Sequence, residues 1–159
     1  MPGNQDWVRW IWASVSKWFD DRKQGTVLYL DGFDIDQVPP KDCAELRMNG
    51  PFMINPSRNY WHMDIEINIL LQITPDNEDA HKLWRYAGIY INAMAGEIPV
   101  YKYGDGIQDD QSLLGCLRIR PEKGEEIVLA NFGRVDPDIE QFRSGLSAFY
   151  RLEITTNDN

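Results

Sequence analysis

The chain has 159 residues, 43% hydrophobic and 26% charged, with 25 acidic against 16 basic side chains and a net charge of −9 at pH 7. That length suits a single domain, one that buries roughly two thirds of its unfolded surface. The charge argues against a surface that holds nucleic acid by counterion release, and no apolar run reaches the ~18 residues of a membrane span.

The opening MPGNQDWVRWIW lacks the charged start, apolar middle and cleavage site of a signal peptide. Cys43 and Cys116 have no metal-ligand spacing, so two reduced thiols in a reducing compartment are expected and not a disulfide.

A first helix is expected over 6–23. Val8, Ile11, Trp12, Val15 and Phe19 recur at three- and four-residue steps, and Gly25 stands where such a helix stops. Trp7, Trp10 and Trp18 widen the apolar stripe. Membrane-surface binding needs a basic face, yet Arg9 and Lys17 are balanced by Asp20 and Asp21. The expectation is core packing, with surplus surface of Trp7, Trp10 and Trp18 meeting another subunit.

Strands are expected over 26–30 and 43–48, separated by the acidic, proline-ended DGFDIDQVPPK. Asn49-Gly50 reads as a turn, and Pro51 and Pro56 make the next segment an irregular arm. Then comes the strongest pattern, a strand over 60–74. Trp61, Met63, Ile65, Ile67, Ile69, Leu71 and Ile73 form one face, and His62, Asp64, Glu66, Asn68, Leu70, Gln72 and Thr74 the other. A one-residue slip would turn the whole apolar set to solvent, so this register is firmly specified.

A second helix is expected over 77–95, opened by acidic residues and carrying Leu83, Ala87, Ile91 and Met94 on one face. After the acidic loop GDGIQDDQ, strands over 113–120 and 126–132 read as a hairpin about Glu122–Glu125. A last strand over 146–155 alternates as the central one does. The expected fold is one α+β domain: two helices packed on one face of a mainly antiparallel sheet, with a C-terminal hairpin region.

Chemistry is sparsely written. Asp64 and Glu66, two apart on one strand face, have the residue types for general acid and base in glycoside hydrolysis, set against a solvated outer sheet face. His62 and His81 have neither a nucleophile elbow nor a zinc spacing beside them. Asp105, Asp109 and Asp110 lack the order of a calcium loop, and Gly104 with Gly106 falls short of a dinucleotide fingerprint. No metal, cofactor or catalytic set is expected.

The order of elements resembles the tail-terminator proteins of long-tailed bacteriophages. ELRMNGPFMINPSRNYWHMDIEINILLQI, residues 45–73, is similar to their strand–arm–strand passage, and DQSLLGCLRIR and FRSGLSAFYRLEI to their closing strands. The resemblance implies a non-enzymatic virion protein, made in the host cytoplasm, forming a hexameric ring. Such a ring caps the tail tube, meets the head connector or another neck protein, and lets DNA pass without specific binding. It also implies candidate lumen or interface residues: His62, Asp64, Glu66 and Asn68 on the strand, and Asp34, Asp36, Asp105, Asp109 and Asp110 in the acidic loops. An acidic lining repels phosphate. The tryptophan-rich first helix and long acidic loops depart from the family. They leave open another neck or head-completion role, beside a carboxylate-dependent hydrolase or a monomeric binding module.

Overall fold

The alternating apolar residues of β3 (Tyr60–Ile73) form the floor of the core: Met63, Ile65, Ile67, Ile69, Leu71 and Ile73 are all buried. The structure is a computed structural model that describes residues 7–30, 42–57, 60–74, 81–103, 112–120, 127–136 and 139–155. Antiparallel to β3 lies β7 (Ile139–Thr155), in unbroken register from Tyr60↔Thr155 to Ile73↔Phe142. Leu146, Ala148, Tyr150 and Leu152 continue the same buried face. On the other edge of β3 runs β2 (Cys43–Ser57), which adds Ala44, Leu46 and Met48 to it.

The remaining strands are β1 (Val27–Leu30), β4 (Ile98–Tyr101), β5 (Leu113–Ile119) and β6 (Val128–Asp136). The sheet runs β1-β2-β3-β7-β5-β4, with β6 attached to β7 off this path. All pairs are antiparallel except β1 with β2.

The expected fold of two helices layered on a mainly antiparallel sheet is overturned. Most described residues are strand, and the sheet is curled into a half-barrel served, among the described residues, by two helices. Long strands carry the right-handed twist that coils a sheet. β2 is longer than 43–48 because Asn49-Gly50 makes no turn. Gly50, at φ +107°, sits in a bulge between Asn49 and Phe52 and lets the strand continue. A Cβ there would come within 3.0 Å of the Asp64 carbonyl oxygen.

The expected hairpin of 113–120 with 126–132 is also absent among the described residues. β5 and β6 lie end to end along one edge of β7. β5 pairs Leu117–Ile119 with Tyr150–Leu152, while β6 pairs from Val128↔Ser147 toward Asp136↔Ile139. The hairpin partner of β6 is therefore β7 itself.

α2 (Lys82–Ala95) packs on β3 and β7 with Ala87, Tyr90, Ala93 and Met94 buried, so Tyr90 and not Ile91 holds the centre of its inner face. The expected start of this helix, at 77–80, lies outside the described residues. Tyr150 donates to the Met94 carbonyl at 2.6 Å, satisfying a C-terminal helix carbonyl inside the core. Burial pushes the Tyr150 phenol well above the ordinary tyrosine range.

α1 (Trp7–Asp20) touches both β4 and β1, the two end strands of the main path, and so spans the mouth of the half-barrel. Ile11, Val15 and Phe19 point into the core. Ser14 Oγ accepts the Tyr101 N–H at 3.0 Å, and Trp10 Nε1 donates to the Tyr103 carbonyl at 2.7 Å. Side chains of a helix thus close the β4 edge in place of a further strand. Trp18 Nε1 donates to Ala93 O at 2.9 Å, and its ring rests on Gly96, where a Cβ would lie only 2.8 Å from the indole. The helix ends at Asp20, short of the expected 23, and Gly25 at φ +86° serves the turn before β1, where the Thr26 N–H donates to Lys23 O at 3.2 Å.

Two outcomes follow. Ile67→Ala should cost about 2–5 kcal/mol in a urea melt through the cavity it leaves. Glu66→Ala, on the opposite face, should cost under about 1 kcal/mol. Equal losses would mean the faces are assigned wrongly.

Tyr90 gives the second. The Thr26 hydroxyl donates to Lys23 O at 2.7 Å, so Tyr90 is the donor in the 2.6 Å bond to Thr26 Oγ1. Burial raises the Tyr90 phenol to about 12. A native state that holds this proton more tightly than the unfolded chain keeps the full benefit below about pH 10. The benefit is then lost as pH rises through about 12. Stability of the parent chain should fall by on the order of 2–3 kcal/mol more than that of Tyr90→Phe across this window. Parallel slopes in alkaline denaturation of the two would refute it.

Candidate functional site

The outer face of the sheet carries every polar residue of β3, and its centre is Asp64. In the cross-strand row Phe52↔Asp64↔Arg151, Asp64 accepts from Arg151 Nε through Oδ1 at 2.9 Å. Its Oδ2 meets Arg120 Nη1 at 2.9 Å. Arg120 follows directly on β5, and its N–H donates to Phe149 O at 3.0 Å, which steers the side chain back across β7. One carboxylate therefore ties three strands together.

These side chains are 6%, 11% and 16% exposed for Asp64, Arg151 and Arg120. The solvated carboxylate expected of an outer sheet face is corrected accordingly. Alternation says which way Asp64 points but not what lies over it. Both oxygens are taken by guanidinium groups, so Asp64 presents none to a substrate. Glu66 is half-buried and accepts from Asn49 Nδ2 at 3.2 Å. The two carboxylates do not face a common cleft as an acid and a base would.

Around the buried cluster the same face is apolar and open. Phe52 is 55% exposed opposite Asp64, Phe149 is 47% exposed opposite Glu66, and Val128 is 51% exposed opposite Ser147. Beyond them lies a shallow groove of about 350 Å³ lined by Arg47, Asn49, Asn68, Leu70, Gly145 and Ser147. Arg47 at its rim pairs through Nε with Glu45 at 2.7 Å, a carboxylate that is itself only 2% exposed. Arg118, well exposed, meets Glu97 at 3.1 Å.

The other sequence candidates separate. His62 is half-buried on the outer face and Asn68 lines the groove. His81 is exposed, immediately before the start of α2. Asp34, Asp36, Asp105, Asp109 and Asp110 lie outside the described residues. Trp10 is buried, while Trp7 and Trp18 are partly buried against the core, and Arg22 stacks over the Trp18 ring 3.2 Å from its centroid. Much of the aromatic surface assigned to subunit contact is therefore used within the chain. Cys43, which is buried, and Cys116 form no disulfide.

Among the described residues no group of three or more His, Cys, Asp or Glu side chains is placed to hold a metal ion. No helix of the described residues is long and apolar enough to cross a membrane. Sequence reasoning missed Arg120 and Arg151. The alternation of 146–155 does put Arg151 on the polar face, and only the register with β3 sets it opposite Asp64.

Asp64→Asn should cost about 3–5 kcal/mol, because two buried guanidinium groups lose their counter-charge. Glu66→Gln should stay within about 0.5 kcal/mol. Chemical denaturation of the pair checks this, and a harmless Asp64→Asn would show that the cluster is ornamental.

No family model matches the chain, and no curated protein matches it. One solved structure that carries no functional name aligns over 98% of this chain and 99% of its own, at 12% identity and a TM-score of 0.49.

Proposed function

We propose that this chain is a phage virion structural protein, a tail terminator that caps the tail tube as a homo-oligomeric ring and joins it to the head connector. The observation that carries the reading is the outer face: exposed Phe52, Phe149 and Val128 surrounding a rigid, buried Arg–Asp–Arg cluster. Aromatic and arginine groups held in place by a sheet are the composition of protein contact surfaces. The sequence resemblance to tail terminators supplies the kind of assembly.

In this reading the protein acts without catalysis or cofactor, and its location is the virion. DNA passes through the ring unheld, kept from sticking by a net charge of −9. Asp64 is neutralised inside its own chain, so it supplies little of that field. Glu66 and the acidic residues at 34, 36, 105, 109 and 110 are the remaining candidates for the lining.

Native mass spectrometry of the purified chain, with negative-stain images, tests the ring. One discrete oligomer, a hexamer by the family expectation, with an axial opening is the expected result. A monomer at every concentration, alone and with tail tubes, would overturn the reading. Binding to ends of purified tail tubes separates a terminator from another neck protein, which would bind connectors alone.

A further inference from the structure

The sheet does not guard all of its edges alike. The β4 edge is closed by Ser14 and Trp10 of α1. The part of β2 that extends past β1 is interrupted by the Gly50 bulge and Pro51, features that discourage strand addition. β1 and the start of β6 differ. Among the described residues no strand lies outside either one, and neither VLYL nor the opening VLAN contains a charge or a proline.

Both strands also expose large apolar side chains on both faces. In β1 these are Val27 at 36% and Leu30 at 46%, three residues apart and so on opposite faces. In β6 they are Val128 at 51% and Leu129 at 37%, adjacent and again on opposite faces. A strand laid along either edge would cover both. The Val27 N–H donates to Asp42 O at 3.1 Å, toward β2, so alternation turns the Leu28 and Leu30 N–H groups away from β2.

We propose that β1 of one copy pairs with β6 of the next, continuing the sheet from subunit to subunit. The inference rests on the ring reading and says how the ring is joined. Two different unguarded edges on one chain need two covers. A single head-to-tail contact supplies both at once and repeats around a closed rotation. Like-with-like pairing would need two separate two-fold contacts, and a closed assembly of those has dihedral symmetry, without the single direction of a ring that caps a tube at one end. Main-chain hydrogen bonds give such a joint its strength, and the apolar side chains flanking it give it a register.

The test uses the full chain with Cys116→Ser as background, leaving Cys43 in its core position. One preparation carries Leu30→Cys and a second, differently tagged, carries Leu129→Cys. The two are mixed, assembled and treated with a short bismaleimide, and oligomer mass is measured alongside. A ring with cross-links joining the two tags is the expected result. A ring whose cross-links are absent, or only join like with like, would overturn the β1–β6 contact and leave the ring standing. A monomer under all conditions would overturn both.

Leu30→Pro supplies the second arm, since it removes an outward N–H and no hydrogen bond within the sheet. It should abolish the ring while the subunit keeps its melting curve, and an intact ring would count against the joint. Should that variant fail to fold, the cross-linking alone decides.

Discussion

The structure depends on the register between β3 and β7. Residue pairs run unbroken from Tyr60↔Thr155 to Ile73↔Phe142, and two independent demands agree on that one alignment. Burial requires Ile65, Ile67 and Ile69 to share a face with Ala148 and Tyr150. Charge requires Asp64 to lie opposite Arg151, because a carboxylate taken from water needs its partner in reach. A slip of one residue would drive Asp64 into the core and strand the isoleucines in solvent. Consistency between packing and electrostatics leaves the alternatives far higher in free energy.

Everything else adapts to the curl of that long pair. A curled sheet has an inner face that one helix cannot fill and a mouth that must be roofed. α2 fills the floor, with Tyr90 and Met94 against the strands, and α1 roofs the mouth by reaching both β1 and β4. That task explains the tryptophans better than surface binding does. Each of Trp10 and Trp18 brings large apolar area together with one indole N–H. Those N–H groups go to Tyr103 O and Ala93 O, backbone carbonyls at the seams. Gly96 belongs to the same fit, since only a residue without a Cβ lets the Trp18 ring settle at that distance.

How much of this could be read from the chain varies with the range of the signal. The two faces of β3 were legible because alternation is local and every odd residue from Met63 to Ile73 is apolar. The stripe of α1 was legible for the same reason, though the helix ends at Asp20 and not at Gly25. Asn49-Gly50 misled because a glycine with positive φ serves a turn or a bulge equally well, and which one it serves depends on β3 lying alongside. Pairing 113–120 with 126–132 misled because neighbours in sequence usually pair. Here β7 is long enough to hold β5 and β6 end to end, and its length was hidden behind Ser144, a polar residue on the buried face that interrupts the apolar rhythm. The Asp64 cluster stayed out of sight because its arginines come from residues 56 and 87 positions away, joined only by register.

The charge of the chain bears on how copies could meet. At −9 per subunit, like chains repel at long range, and this repulsion is screened over about 8–10 Å at ordinary salt. An association built on surface ion pairs would work against that field with contacts that are individually weak. The fold instead spends its best ion pairs internally: Asp64 with Arg120 and Arg151, and Glu45 with Arg47. What it leaves outside is backbone on two strand edges and the apolar groups Val27, Leu30, Val128 and Leu129. Hydrogen-bonded edges and apolar contact act at short range and are indifferent to net charge. In the proposed ring they would hold neighbouring subunits together while the acidic charge, uncompensated by the joint, stays available to keep DNA from adhering.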